Sequence, residues 1–246
     1  MNLNSLAKKA AKGSAPAAHG GAMEVEDMID FVLFHGAAAA DEIERLLKQH
    51  QWGMEAVLPD GSRVVPFGRW ALACIAFGRG GVAALMPLLS DPGMASFAVG
   101  LLQEVRTPES VEALVDYVAT ASFEADGPEH PAWAEWKALL ALNSLLAFDD
   151  FVPVREYTSD KLRQILIFAY ERAATSPRKS NALAAMRGVP SEVALEWVQG
   201  LKDLDPELKQ LQRMCVKAFQ KRLAPDFKPL KLDEQRQLRR QRAANA

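Results

Sequence analysis

The sequence predicts an all-α protein built as a right-handed α-α superhelix of stacked helix pairs. Apolar residues recur at helical spacing, three or four positions apart, and 49% of the 246 residues are hydrophobic. Alanine-rich helix starts recur near Ala71, Ala98, Ala138 and Ala182, at steps of 27, 40 and 44 residues. Steps of this size are typical of helix-pair repeats, in which stacked neighbours bury the apolar face that one pair leaves exposed.

Composition divides the chain into three parts. Residues 1–22 combine three lysines with alanine, serine and glycine, which predicts a disordered leader. This segment lacks the continuous apolar core that a secretory signal requires. Residues 23–223 are predicted to form a single helical-repeat domain, and residues 224–246 a basic C-terminal tail or helix.

Two helices are predicted before residue 57. The first begins near Glu24 and ends at His35-Gly36, and Asp41 is the predicted N-cap of the second. Residues 57–65 then offer two alternatives. They form either a short β-hairpin, with Pro59-Asp60-Gly61 as the turn, or a structured loop between helices.

A regular succession of helices is predicted from residue 67 onward. The strongest start signal is Thr107 as N-cap followed by Pro108, since proline lacks the N–H that has no acceptor in the first turn. The predicted helices cover residues 70–77, 82–89, 94–105, 108–120, 132–148, 159–174, 180–188, 191–200 and 206–223.

An internal match supports a repeat. Residues 98–105 match residues 182–189 in side-chain size, position by position. Each segment is followed by a proline and then by Ser-Val-Glu-Ala-Leu or Ser-Glu-Val-Ala-Leu. In these features residues 67–223 resemble the HEAT/armadillo-like helical repeat class, which implies an α-solenoid fold. The steps are uneven and the second helices lack the Asp/Arg ladder of that class, so an irregular α-bundle is the alternative.

The residues predict no catalytic centre, no metal and no cofactor. The four histidines and two cysteines show no zinc-ligand spacing, and no nucleophile motif is present. Cys74 and Cys215 lie in apolar helical patterns, which is typical of buried thiols in a reduced, cytoplasmic compartment. Residues 80–103 contain one charge, but the turn signal at residues 90–93 excludes a membrane span there.

Charge predicts a basic partner. The chain has 29 basic and 31 acidic residues, giving a net charge of −2. Residues 221–246 hold eight basic and three acidic residues, so the other 220 residues carry a net charge of −7. A negatively charged body disfavours nucleic acid, because phosphates are repelled. It favours a protein with a basic surface.

An acidic loop followed by tryptophans is the predicted contact region, because aromatic side chains beside carboxylates suit a cationic protein surface. The alternatives are that both tryptophans pack into neighbouring helices and that the paired aspartates form a solvated corner. The predicted partner-binding residues are Glu124, Asp126, Glu129, Trp133, Glu135, Trp136, Asp149 and Asp150.

These observations predict a non-enzymatic protein–protein binding module, with a bacterial immunity protein that neutralises a basic toxin as one candidate. Two alternatives remain. The architecture is similar to that of the HEAT-like DNA alkylation-repair glycosylases, which implies a basic concave face lined by aromatics, with Trp133, Trp136, Tyr157 and Trp197 as candidates, and a catalytic aspartate. The other alternative is a scaffold or adaptor that docks through a basic helix at residues 230–242.

Overall fold

The structure, a computed structural model, divides the chain into two compact units, residues 1–104 and residues 105–246. Nearly all regular structure in the described part is helical, so the predicted all-α class is confirmed. The single domain over residues 23–223 stays a prediction, since two contact units can lie within one array in which each repeat touches only its neighbours. The residues that the structure describes are 20–50, 56–57, 64–65, 67–123, 133–147 and 152–228.

The first unit begins with α1 (Gly20–His50), which is interrupted at Gly36. Gly36 has φ 54° and ψ −125°, a conformation that glycine adopts at little steric cost, so the predicted helix end at His35-Gly36 is confirmed. The predicted N-cap at Asp41 is wrong, because helical geometry resumes after Gly36 and Asp41 lies inside the helix. Its carboxylate accepts a hydrogen bond from Arg79 at 2.9 Å instead.

Two short strands follow. β1 (Ala56–Val57) and β2 (Val64–Val65) pair antiparallel, with Ala56 opposite Val65 and Val57 opposite Val64. Residues 58–63, with the predicted turn, lie outside the described residues. The hairpin therefore stays a prediction.

The second helix, α2 (Phe67–Gly80), packs against α1 at a close crossing. A Cβ on Gly78 would lie 2.7 Å from the carbonyl oxygen of Gly36 and 2.8 Å from Cβ of Ala40, so only glycine fits there. The buried side chains at this crossing include Val32, Ala39, Ala40, Ile43, Ala71 and Cys74. Small residues therefore let the two helices approach closely, as the alanine-rich pattern predicts.

Three short elements complete the first unit, and the turn between the last two is the predicted one. Gly93 donates its backbone N–H to the Asp91 carboxylate at 2.8 Å, so the apolar residues 80–103 do not form one continuous helix. These elements are a 3-10 helix (Gly81–Leu85), α3 (Met86–Leu89) and α4 (Ala95–Val105).

The second unit contains six described helices: α5 (Pro108–Ala119), α6 (Trp133–Leu146), α7 (Glu156–Arg172), α8 (Ser176–Met186), α9 (Glu192–Gly200) and α10 (Pro206–Arg222). The predicted start at Thr107-Pro108 is confirmed. Thr107 and Ser110 form a capping box, in which each side-chain oxygen accepts the other residue's backbone N–H.

Four predicted helix starts lie three or four residues after the observed ones, since α1 begins at Gly20, α2 at Phe67, α7 at Glu156 and α8 at Ser176. Ser159 lies inside α7, because its N–H donates to the Arg155 carbonyl at 3.1 Å. Ser180 is likewise preceded by a turn of α8, in which Lys179 donates to Thr175 at 3.1 Å. The first turn of α8 contains a proline, which has no backbone N–H. Because N–H groups in the first turn have no acceptor within the helix, the proline is tolerated there and the helix can begin before it.

The internal match has a structural counterpart. Residues 98, 99, 101 and 102 of α4 are buried, and so are the matching residues 182, 183, 185 and 186 of α8. Each segment precedes a helix with a Thr or Ser N-cap, Thr107 or Ser191. The repeated pattern thus corresponds to repeated burial. The superhelical arrangement stays a prediction.

Helix α8 packs against α6, α7 and α10, which gives the second unit its core. The last helix, α10, is held there by buried Leu208, Cys215 and Phe219. At its end, the Arg222 guanidinium donates to the carbonyl oxygen of Leu146 at 2.6 Å and to that of Arg187. One side chain therefore satisfies carbonyls at the ends of α6 and α8, which fixes the orientation of α10.

Candidate binding surface

The predicted contact region is described only in part. Glu124, Asp126, Glu129, Asp149 and Asp150 lie outside the described residues, so their role stays a prediction. Of the other three, Trp133 begins α6 and is 40% exposed. It remains available for contact with a partner.

Trp136 is a core residue, which corrects its prediction as a partner contact. Its side chain is 1% exposed, and its ring lies 5.1 Å from that of Phe123, in an edge-to-face arrangement. The Arg178 guanidinium lies over the other side of this cluster, 5.0 Å from the Trp136 ring centre. The alternative of packing between neighbouring elements therefore holds for Trp136, and burial of its large apolar ring explains why.

Glu135 has a structural role. Its carboxylate accepts the backbone N–H of Phe123 at 2.9 Å. Phe123 has φ 56°, in the left-handed region that a bulky side chain rarely adopts. The carboxylate of Glu135 thus holds the chain in the bend that brings Phe123 into the core, where it is 1% exposed.

Acidic side chains near the C-terminal end of α1 pair with basic neighbours. Arg79 of α2 pairs with Asp41 at 2.9 Å and also with Glu44, and Lys48 pairs with Glu44 at 2.8 Å. Hydrogen bonds from Lys48 and Arg79 lower the pKa of Glu44 to about 2. This part of α1 therefore presents little uncompensated negative charge.

The same holds for acids of the second unit. Glu112 and Asp116 on α5 pair with basic residues of α7, Arg155 at 2.8 Å and Lys161 at 2.7 Å. Within α7, the buried Arg163 pairs with acidic residues one and two turns earlier. The net negative charge of the sequence therefore does not mean that these carboxylates are free, because each already has a basic partner.

Helix α10 presents the opposite pattern, a row of cations that we call the basic row: Lys209, Arg213, Lys217 and Lys221. All four are exposed. None of their side chains forms an ion pair or hydrogen bond with the residues that the structure describes. The four-residue spacing gives a rise of about 6 Å between neighbours and about 18 Å from end to end.

The basic row lies opposite the buried face of α10. At about 100° per residue its centre falls roughly 160° around the helix from the centre of the buried Leu208, Cys215 and Phe219. Like charges one turn apart destabilise a helix by about 0.2–0.5 kcal/mol per pair. The row contains three such pairs, although Lys221 in the last turn of α10 also interacts favourably with the helix dipole.

A shallow groove of about 470 Å³, open to solvent, adjoins the basic row. Its lining contains two cations, three carboxamides, one apolar side chain and no carboxylate: Arg213, Lys217, Gln199, Gln212, Gln220 and Val216. The Gln212 carboxamide donates to the carbonyl oxygens of Val198 at 2.7 Å and of Leu201 at 3.2 Å. Because these bonds tie α10 to the end of α9, the groove has a fixed wall.

The described residues form no candidate metal site, and their cysteines are buried. No group of three or more His, Cys, Asp or Glu among them is placed to hold a metal ion. Cys74 and Cys215 are free and buried, as predicted, and burial raises the pKa of both thiols to about 12. Neither thiol is therefore a reactive nucleophile near neutral pH.

One apolar stretch in the described part, Gly68–Leu89, is long and apolar enough to cross a membrane by length and composition alone. It is not a single α-helix, since Gly81 has φ 62° and a 3-10 helix follows α2. Ala71, Cys74 and Leu85 of this stretch are buried within the first unit.

Comparison of the chain with protein-family models, with curated proteins and with solved structures finds no match. The function must therefore be argued from the geometry above.

The basic row was missed in the sequence, although a signal for it exists. Four cations at four-residue steps, with no acidic residue among them, can be counted in residues 209–221. The charge was summed over two long segments, which hid this pattern. Lys221 was counted with the basic residues 221–246, and the other three cations with the remaining 220 residues, whose total is negative. Helical periodicity applied to charge would have found the row.

Proposed function

We propose that this chain is a non-enzymatic binding module of HEAT/armadillo-like helix pairs that docks another protein through the basic row of α10. The observation that carries the proposal is the set of four exposed cations on one face of a helix that is firmly held to its unit, none of them paired within the described part of the chain. Such a face increases the rate of association with a partner of opposite charge and disfavours partners of like charge.

The partner is proposed to be acidic, which reverses the sign expected from the sequence total. The described acids Asp41, Glu44, Glu112 and Asp116 already have basic neighbours, with which a basic partner at these positions would have to compete. Other exposed acids, Glu192, Glu196 and Glu207, form no ion pair with the described residues. An acidic partner meets no such competition at the basic row. The immunity-protein hypothesis requires an acidic surface, and part of the predicted acidic region lies outside the described residues. A toxin-neutralising immunity protein is therefore kept as a more specific form of the proposal. The proposed site of action is the cytoplasm.

Protein is favoured over nucleic acid as the partner. Proteins that bind single strands add aromatic stacking platforms to a basic groove. The one aromatic residue of α10, Phe219, is fully buried, and Trp136 is buried in the core. Of the aromatic candidates for the glycosylase alternative, Trp136 is thus excluded from a binding face, whereas Trp133 and Tyr157 are 40% and 75% exposed.

The proposal is tested by capture from extracts of the source cells with immobilised wild-type chain and two variants. The first variant is Arg213→Glu with Lys217→Glu. The second is Lys202→Glu, which changes an exposed cation outside α10. Proteins retained by the wild type are identified by mass spectrometry, purified and titrated against all three chains.

An acidic protein should bind the wild type and Lys202→Glu alike, and the double variant at least about tenfold more weakly. Its association rate with the wild type should fall with added salt, because exposed charges are screened. A partner that binds the double variant as tightly as the wild type would refute the proposed surface.

A further inference from the structure

We infer that the groove between α9 and α10 binds an extended acidic segment of the partner, with glutamates at alternate positions against the basic row. This inference rests on the proposed function and specifies the form of the partner. The groove and the row are continuous, because Arg213 and Lys217 belong to both.

The spacing of the cations fits an extended chain. Successive cations of the row are about 6 Å apart along α10. In an extended segment, side chains on one face are two residues apart, which is about 6.6–6.8 Å. Carboxylates of a Glu-x-Glu-x-Glu segment can therefore meet Arg213, Lys217 and Lys221 in succession.

The carboxamides of the groove distinguish an extended segment from a helix. A partner helix with glutamates one turn apart would also match the cation spacing, but its main-chain groups bond to one another. An extended segment leaves N–H and C=O groups without internal partners. Gln199 and Gln220 are exposed at the groove, and each offers two N–H donors and an acceptor oxygen to such groups.

The remaining lining suits glutamate in particular. Val216 gives the groove one apolar contact, and the two methylenes of a glutamate side chain can pack on it while the carboxylate reaches a cation. The groove, of about 470 Å³, is open to solvent, so a bound segment can enter it and continue along the row. The chain's own C-terminal residues 229–246 carry a net positive charge, so the basic row repels them as an occupant.

The test uses the full chain and three labelled probes, with affinity measured by fluorescence anisotropy. The first probe is a nine-residue peptide in which glutamate alternates with threonine. The second is a stapled helical peptide with glutamates one turn apart, and the third is a twenty-base single-stranded DNA. The groove variant is Gln199→Ala with Gln220→Ala, which removes two exposed carboxamides and leaves every cation in place.

We expect the alternating peptide to bind the wild type most tightly of the three probes, and the groove variant about tenfold more weakly. Arg213→Glu with Lys217→Glu should lose this binding, and Lys202→Glu should keep it. If the groove variant binds as the wild type does while the charge-reversed variant fails, the groove inference is wrong and the proposed function stands.

Three other results would overturn the inference in whole or in part. Tighter binding of the helical peptide than of the alternating peptide would overturn the extended form of the segment. Tightest binding of the DNA would overturn both the inference and the proposed class of partner. Equal binding of the alternating peptide to the wild type and to the charge-reversed variant would overturn the inference and remove the basic row from the proposed function.

Discussion

Replacing Arg213 by glutamate should stabilise the fold while it weakens binding. Arg213 lies one turn from Lys209 and one turn from Lys217, and each of these like-charge pairs destabilises α10 by about 0.2–0.5 kcal/mol. Glutamate at this position makes both pairs attractive. The change is about 0.4–1 kcal/mol per pair, which predicts a gain in the free energy of unfolding of about 1 kcal/mol at low salt.

The assay is urea unfolding followed by far-ultraviolet circular dichroism, at low and at high salt. Arginine and glutamate have similar helix propensities, so the difference between the variants reports charge. Arg213→Gln, which removes the repulsion and adds no attraction, should gain about half as much. Lys202→Glu lies outside the basic row and serves as the control for net charge.

The reasoning is refuted if Arg213→Glu is less stable than the wild type at low salt. It is equally refuted if the gain is the same at both salt concentrations, because a charge effect between exposed residues must shrink as salt is added. A stabilised variant that no longer binds the partner would show that the row is maintained for binding, at a cost in stability.

Three further predictions concern the core. Gly188→Ala should lower the free energy of unfolding by about 1–3 kcal/mol, because the added Cβ would overlap with that of Leu146. Chemical denaturation measures this change, and a variant as stable as the wild type would contradict the close packing. Burial lowers the pKa of Lys137 to about 8, so between pH 8 and pH 10 this residue holds a proton in the unfolded chain that it has lost in the folded chain, and the contribution of Lys137 to stability rises with pH. Lys137→Met should remove this rise, which is at most about 1.4 kcal/mol per pH unit in paired denaturation curves, and an unchanged slope would count against it. Cys74 and Cys215, with pKa values raised to about 12, should resist a thiol-specific disulfide reagent at pH 8 in the native chain and react on denaturation; a fast native reaction would exclude their burial.

Local signals in the sequence predicted helix ends well where the chemistry is local. The Thr107-Pro108 start and the end at His35-Gly36 depend on a cap, a missing N–H and a positive φ, all of which lie within a few residues. The starts of α7 and α8 lie before the predicted ones, because the backbone is already helical ahead of Ser159 and Ser180, two residues that can also cap a helix. A residue that favours a cap does not prevent a helix from beginning earlier.

Side-chain placement in the candidate site was less predictable. Trp133 and Trp136 belong to the same sequence motif, yet one is 40% exposed and the other 1%. The difference in exposure depends on Phe123 and Arg178, which contact the Trp136 ring and belong to segments outside its helix. No pattern within residues 133–136 carries that information.

Helical periodicity is encoded by neighbours three or four residues apart, so the helical class, the burial common to the two matched segments and the spacing of the cations on α10 can be read from the sequence. The pairing of charges cannot, because it depends on tertiary contacts. Asp41 meets Arg79, and Glu112 meets Arg155, across 38 and 43 residues of chain, while the basic row meets no acid in the described part. Charge pairing between distant segments depends on how the helices pack, and in a chain of net charge −2 that packing leaves a basic face without acidic partners among the described residues.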